Sequence, residues 1–411
     1  MRRSRVVVAV VVVALLGLDV AAAGSVPARP GVMKRASVAR TPTARTIAGT
    51  TGFAQGHTIL WESDAQLARD LDGMARTGAS WLRLDFDWPS IQSGGPDAWN
   101  WAPTDRVVNA ASARGISILA TPTYTPTWAR PAGTTGKHPP TDPLDYVRFV
   151  QAAVRRYEPR GVQHWEIWNE PNLDDFWNPA PDPVAYTKLF VLAADAIHAL
   201  DADAIVMNGG LAPASDIFGD AMAPRSFLTV MYANGAGAAL DAVAMHPYSF
   251  PYEPMLAADW NAFSTLPKTH ALMAAFGDGR KPIWATEAGF GTGRDDHSVS
   301  EAVHAVRVRQ LIDAWYDFDF TGNIFLYTFR DLSATSPAAF ERMGIVRADG
   351  SPKPAFAVFS RAIERSTIDR DVQQGLCGPA AHLAPAGANE CVEAQRVARF
   401  VRERLLGAMH A

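Results

Sequence analysis

Two carboxylates stand at matching places in this chain. Glu170 ends the run Trp165-Glu166-Ile167-Trp168-Asn169-Glu170 and is followed by Pro171-Asn172, while Glu287 ends Ile283-Trp284-Ala285-Thr286-Glu287 and is followed by Ala288-Gly289. Each comes after a short apolar stretch, where burying a lone charge is costly unless a site makes use of it. Two carboxyl groups brought to one site can break a glycosidic bond. One protonates the leaving oxygen and the other attacks the anomeric carbon from the opposite face, which sets the two about 5 to 5.5 Å apart. The acid must start protonated and the nucleophile ionised.

Elements far apart in sequence have to position such a pair. From about Thr50 to Ile363 short β-rich runs alternate with longer amphipathic stretches, eight times over. The expected strands are Gly52-Phe53-Ala54, Trp81 to Phe86, Ile116 to Thr121, His164 to Trp168, Ala204 to Asn208, Ala242 to His246, Ile283 to Thr286 and Asn323 to Thr328. Each is short and apolar, as buried parallel strands are. Residues 64–71 and Tyr146 to Tyr157 carry apolar residues at helical spacing, with Asp64 and Asp142 placed to cap their helices. This rhythm predicts the α/β class and a (β/α)8 TIM barrel over residues 48–365, whose catalytic residues belong at the C-terminal ends of the strands. Glu170 then ends strand four and Glu287 strand seven. They are 117 positions apart, three repeats of 39, close to the mean repeat of the whole eightfold series. A doubly wound open sheet is the competing architecture, but no Gly-rich phosphate loop follows the first strand. In a regular strand Asn169 and Glu170 would face opposite ways, and Pro171 cannot continue the ladder, so the strand must bend here if both residues serve one site.

Trp-Asn-Glu-Pro at strand four together with Thr-Glu-Ala-Gly at strand seven resembles the large clan of retaining glycosidases that carries its two catalytic Glu residues on those strands. Within that clan the chain most resembles glycoside hydrolase family 39 and the related cellulase-like and exopolysaccharide-cleaving barrels, across most of residues 50–363. The resemblance implies that Glu170 is the acid/base, that Glu287 is the nucleophile forming a covalent glycosyl-enzyme, and that Asn169 bonds the sugar 2-hydroxyl. It implies that Arg83, in Trp81-Leu82-Arg83-Leu84-Asp85, lies beside the nucleophile; a structural Arg–Asp pair is the other role open to it. His246 and Tyr248, in Met245-His246-Pro247-Tyr248, match positions beside the nucleophile, with Tyr248 donating to Glu287. Among Trp88, Tyr124, Trp128, Trp168 and Trp177 we expect Trp128 and Trp177 to be sugar platforms and Asn172 to add a polar contact. Strand eight departs from the clan, many of whose members place a Trp there. This chain reads Phe325-Leu326-Tyr327-Thr328-Phe329-Arg330-Asp331, so Tyr327 or Phe329 supplies the aromatic, and Arg330 and Asp331 either contact substrate or pair with each other.

Hydrophobic residues at 48% and charged residues at 19% suit a protein with a sizeable core. A net charge of −4 lacks the basic excess that attracts a phosphate backbone, so no nucleic-acid partner is expected. Met1-Arg2-Arg3-Ser4-Arg5, the apolar run Val6 to Leu18 and Ala21-Ala22-Ala23 read as a signal peptide over residues 1–23, too short for a membrane span of roughly 20 apolar residues. An uncleaved anchor is the alternative. Residues 24–47 read as a disordered leader. Residues 366–411 form a C-terminal extension with a helix from Asn389 or Glu390 to Leu406. Its Cys377 and Cys391 are expected to form a disulfide in an exported protein, worth about 3 kcal/mol for a closed loop of about 15 residues, with two free thiols as the alternative.

The expectation is thus a secreted or cell-envelope monomer that hydrolyses a polysaccharide or oligosaccharide by double displacement, with no metal or other cofactor and no membrane contact after signal cleavage. Two other readings share these residues: a carbohydrate-binding barrel without catalysis, expected to have lost one carboxylate, and a transglycosylase using the same two Glu. Metal-dependent hydrolysis would have to draw on His57, His246 and Asp85, which no tight ligand motif links.

Overall fold

The computed structural model describes residues 50–373. The signal segment, the leader, the Cys377–Cys391 pair and the helix expected near its end lie outside the described residues.

Alternation within each strand builds the architecture. In β2 (Trp81–Asp87) the side chains of Leu82, Leu84 and Phe86 join the apolar layer beneath the helices, leaving Trp81, Arg83 and Asp85 to the opposite, inner face. The same rule in β4 (His164–Ile167) sends Trp165 and Ile167 outward and Glu166 inward. With β1 (Thr51–Gly56), β3 (Ser117–Thr123), β5 (Ile205–Asn208), β6 (Val243–Met245), β7 (Ile283–Ala288) and β8 (Thr321–Tyr327), every expected strand is present, within a few residues of its predicted ends.

All pairings are parallel and run in the order β5-β4-β3-β2-β1-β8-β7-β6. Parallel bridges Met207–Ala242 and Leu211–Met245 bring β6 alongside β5 and close the ring. This is the predicted (β/α)8 barrel. Its floor is plugged by Ala54, Leu119, Met207, Ala244, Trp284 and Phe325, with Trp81 edge-on to His164 and to Trp284. The floor is a packed core, and only the other end of the barrel opens to solvent.

Eight helices follow the strands in turn: α1 (Asp64–Arg76), α2 (Ala102–Ser112), α3 (Pro143–Tyr157), α4 (Pro183–Leu200), α5 (Pro224–Ala233), α6 (Leu266–Ala275), α7 (Glu301–Asp317) and α8 (Pro354–Gln373). Asp142 caps α3 as expected, accepting from the Leu144 amide at 2.9 Å. The expected Asp64 cap is corrected. Ser63, one residue earlier and in extended conformation, accepts from the Gln66 amide at 3.2 Å, and Asp64 is the first helical residue. The last helix runs past residue 365, where the barrel was expected to end. α4 is apolar enough to resemble a membrane span, yet Tyr186, Phe190, Ala193, Ala194 and Ile197 are buried against the barrel wall. Its Tyr186 hydroxyl donates to Ile167 O and accepts from Gly209 N, both at 2.7 Å, tying the ends of β4 and β5 together just below the site.

Candidate active site

β4 stops at Ile167, and the backbone then turns sharply. Trp168 and Glu170 have φ of 75° and 45°, the left-handed region that residues with a Cβ adopt only when their surroundings impose it. Here Trp168 is fully buried, its indole Nε1 donates to Phe176 O at 2.8 Å, and Glu170 N donates to Gly210 O at 3.2 Å. The result is the expected bend. Asn169 and Glu170 both line one cavity of about 710 Å³ at the C-terminal mouth of the barrel, together with Arg83, Tyr248, Glu287 and Tyr327.

Arg83 organises this cavity from below. Its Nε and Nη2 donate to the two oxygens of Glu166 at 2.8 and 2.9 Å, its Nη1 donates to Glu287 Oε1 at 2.6 Å, and its Nη2 also donates to Asn169 Oδ1 at 2.7 Å. Burial works against the guanidinium charge, but Glu166 and Glu287 outweigh it and hold the Arg83 pKa well above its ordinary value. The pair open to Arg83 from sequence, with Asp85, does not form; Glu166 takes that place. Tyr248 donates its hydroxyl to Glu287 Oε2 at 2.8 Å, so each oxygen of Glu287 receives a hydrogen bond.

His246 is fully buried, with Nδ1 2.7 Å from Glu170 Oε1 and 3.7 Å from Glu287 Oε2. Its stronger contact is therefore with Glu170, where the sequence pointed to the other carboxylate. Burial alone would lower the His246 pKa, but Glu287 and the Glu170 hydrogen bond raise it above the ordinary value. Gly210 makes room for this ring: a Cβ there would lie 2.1 Å from His246 Nε2, and its bare backbone amide donates to Glu166 Oε1 at 2.8 Å.

One oxygen each of Glu170 and Glu287 and a nitrogen of His246 all lie within 4.8 Å of one another. So close an approach of the two carboxylates fits the short spacing of a double displacement, about 5 to 5.5 Å between the groups. Three such donors could also ligate a cation, although both oxygens of Glu287 already accept hydrogen bonds, from Arg83 and from Tyr248.

Three expected contacts are corrected. Trp177 is buried edge-on to Trp168 and Tyr186, so it is core. Trp128 packs edge-on to Trp88, donates to Gln92 O at 2.8 Å and does not line the cavity. Asn172 has both ends of its amide engaged with backbone, donating to Ala212 O and Met222 O and accepting from Ala212 N, all at 2.9 Å. Arg330 and Asp331 neither reach the cavity nor pair together, because Arg330 Nε donates to Asp70 Oδ2 at 2.9 Å and Lys353 Nζ donates to Asp331 Oδ1 at 2.7 Å. The cavity wall is aromatic nonetheless, built by Tyr124, Phe176, Phe250, Trp260, Tyr327 and Phe340. Besides Glu166, sequence reasoning passed over Lys137, Asp175 and Trp260, which come from loops without a motif.

Comparison with solved structures finds the same fold in several proteins. A family 39 glycoside hydrolase from the gut symbiont Bacteroides cellulosilyticus WH2 superposes with a TM-score of 0.63 at 20% identity, over 78% of this chain and 64% of that one. A monomeric beta-xylosidase from Caulobacter crescentus CB15 gives 0.60 at 18% identity, over 76% and 67% of the two chains. The native xylanase 10B from Thermotoga maritima gives 0.55 at 17%, over 79% and 98%. Likeness at these identities speaks to the fold. The chain thus spans under two thirds of the length of the Bacteroides enzyme. No curated protein matches the chain by sequence. A family model described as glycosyl hydrolases family 39 matches residues 138–375, more than half of the sequence and a span holding Glu170, His246, Tyr248 and Glu287, so the chain belongs to glycoside hydrolase family 39.

Proposed function

We propose that this chain is a retaining O-glycosidase in which Glu170 is the acid/base and Glu287 the nucleophile. The observation that carries the reading is the convergence of the two carboxylates, their nearest oxygens within 4.8 Å, at the ends of β4 and β7 in one open cavity. The surroundings of the two groups differ in the way their roles require. Glu287 receives Arg83 and Tyr248, donors that suit an anion and hold it in line for attack. Among the described residues Glu170 has only His246 as a side-chain hydrogen-bond partner, leaving it free to exchange a proton with the leaving oxygen.

In the first step Glu170 protonates that oxygen as Glu287 attacks the anomeric carbon, the glycosidic bond breaks and a glycosyl ester forms. In the second, Glu170 takes a proton from water as the water attacks the same carbon, releasing Glu287 and a sugar of retained configuration. Asn169, its Oδ1 fixed by Arg83, keeps a side-chain NH2 without a partner among the described residues for the 2-hydroxyl of the sugar. The substrate we propose is a polysaccharide or oligosaccharide. Trp260 and Phe340, about half exposed at 54% and 49%, give the cavity aromatic faces on which further sugar units can stack. Export through residues 1–23 and action as a monomer outside the cytoplasm complete the proposal; the basic opening, apolar run and small-residue triplet of residues 1–23 support the export.

The test is Glu287→Ala with and without azide. The variant should be inactive and should recover partial turnover with azide, yielding a glycosyl azide of inverted anomeric configuration. A glycosyl azide of retained configuration would reverse the two roles. Glycan binding without turnover by the wild type would turn the reading toward a binding barrel, and turnover only with an added sugar acceptor toward a transglycosylase.

A further inference from the structure

The cavity holds a third carboxylate that the reaction above leaves unused. Asp85 follows Arg83 by two residues on β2 and therefore shares its inward face. It is only 7% exposed and lines the cavity, and among the described residues no hydrogen-bond or ion-pair partner meets its carboxylate. Burial pushes its pKa up to about 6, against the pull of Arg83, His57 and Lys137. Gly56, with φ of 55°, stands where a Cβ would come to 3.8 Å from Asp85 Oδ2.

Lys137 shares this side of the cavity. Its Nζ lies 3.0 Å above the Tyr124 ring, and no carboxylate among the described residues comes within ion-pair distance of it. Burial lowers its pKa to about 8, although Asp85 and Asp87 act to raise it. A buried carboxylate lacks donors and a half-buried ammonium lacks a counter-ion, and a folded protein keeps such groups when a ligand supplies what they lack. A sugar hydroxyl supplies both. The two walls of the site differ accordingly. Between Glu287 and Glu170, the side built on β8, β1, β2 and β3 presents His57, Asp85 and Lys137 together with Tyr124 and Tyr327, while the side built on β5 and β6 presents the uncharged Ala212, Pro213, Tyr248, Ser249 and Phe250.

We propose that Asp85, with Lys137 beside it, selects the sugar ring bound over Glu287: its carboxylate accepts hydrogen bonds from ring hydroxyls of a neutral sugar and repels a ring that bears a carboxylate. This rests on the glycosidase reading and adds a specificity determinant to it. Asp85 takes no part in bond breaking; it binds the ring that is being transferred.

The experiment compares wild type, Asp85→Asn and Asp85→Ala on 4-nitrophenyl glycosides of neutral aldoses, on the matching glycuronides, and on monodeoxy versions of the neutral set. Wild type should turn over neutral glycosides in preference to glycuronides. Asp85→Ala should lower kcat/KM on its best neutral substrate by between about tenfold and about a hundredfold, the value of a charge-assisted hydrogen bond. That loss should disappear on at least one monodeoxy glycoside, whose missing hydroxyl leaves Asp85 nothing to bind. Neither variant should melt far below wild type, since neither removes a hydrogen bond or ion pair within the described residues. A preference for glycuronides, or equal losses on the parent and every monodeoxy glycoside, overturns the proposal. Wild-type turnover that Asp85→Ala leaves intact overturns it alone, whereas a wild type no better than Glu287→Gln across the panel overturns the glycosidase reading and this inference with it.

Discussion

Replacing Arg83 with Met tests the electrostatic base of the site. The guanidinium is 1% exposed and makes two hydrogen bonds to Glu166, a carboxylate with no exposure at all. Without it, Glu166 keeps the Gly210 amide at 2.8 Å, the Thr286 hydroxyl at 3.3 Å and, at 4.0 Å, the more distant His246 Nε2. Breaking a buried ion pair by removing one partner costs about 3–5 kcal/mol, because the remaining charge is stranded in a medium that solvates it poorly. Glu287 adds less, since Tyr248 still holds it at the edge of the cavity. The expected loss is a large fraction of an ordinary protein's total stability of about 5–15 kcal/mol. Urea unfolding of Arg83→Met, Glu166→Gln and the double variant, followed by tryptophan fluorescence, measures it. The double variant should be more stable than Arg83→Met, with a coupling of at least about 1.5 kcal/mol. Additive effects, or an Arg83→Met variant within about 0.5 kcal/mol of wild type, would refute the reasoning that Glu166 is charged and that Arg83 holds it.

Four further outcomes are expected. On Glu170→Gln, substrates with activated leaving groups should lose far less kcat/KM than natural glycosides, since they need little protonation; equal losses on both would remove Glu170 from the acid role. Asp85 has its folded pKa raised from 3.8 to about 6, worth about 3 kcal/mol, so its cost is complete above pH 6 and fades as pH falls toward 3.8. The melting temperature of Asp85→Asn should accordingly exceed that of wild type near pH 7, and the gap should close by pH 4 in scanning calorimetry. Gly210→Ala forces a methyl 2.1 Å from His246 Nε2 and 2.6 Å from Thr286 Oγ1, so it should lose about 1–3 kcal/mol in urea melts together with most turnover. Trp177→Ala should lose about 3–5 kcal/mol of stability and leave KM nearly unchanged, whereas Trp260→Ala should raise KM and barely move the melt; the reverse pattern would restore Trp177 as a sugar platform.

Most of the scaffold was legible because barrel strands carry a local signature, a short apolar run bounded by amphipathic helices. The motif glutamates were legible for a second reason: each sits where such a run ends, and the ends of the runs share one rim. Helix starts were harder. Ser63 and Asp64 are both good caps, and only the extended backbone at Ser63 decides between them. The bend after Ile167 followed from asking how Asn169 and Glu170 could face one site, a geometric demand made before any coordinate and met by two left-handed residues.

The aromatic platforms failed for a physical reason. An indole's type says that it can stack on a sugar, but not whether the loop turns it toward the cavity or the core. The loop after β4 folds Trp177 back under Trp168, while Trp260 reaches the cavity from the β6–α6 connection, where no motif marks it. Glu166 was missed though it lies in the same run as Glu170, and the cause is different. Alternation puts Glu166 on the inner face of β4 as it puts Arg83 on that of β2, but the register through β3 sets Arg83 opposite His164, two residues before Glu166, so the pair emerges only from the reach of the arginine side chain across the barrel. A strand read alone shows only an unexplained charge among apolar neighbours, and the cost of burying it is then evidence for a partner on another strand. Asp85 presents the same local sign, a carboxylate on the inner face of an apolar strand, but no strand in the barrel supplies its partner. The difference between the two residues is therefore tertiary. One buried acid is matched within the fold and holds it together, and the other is left for a ligand to match.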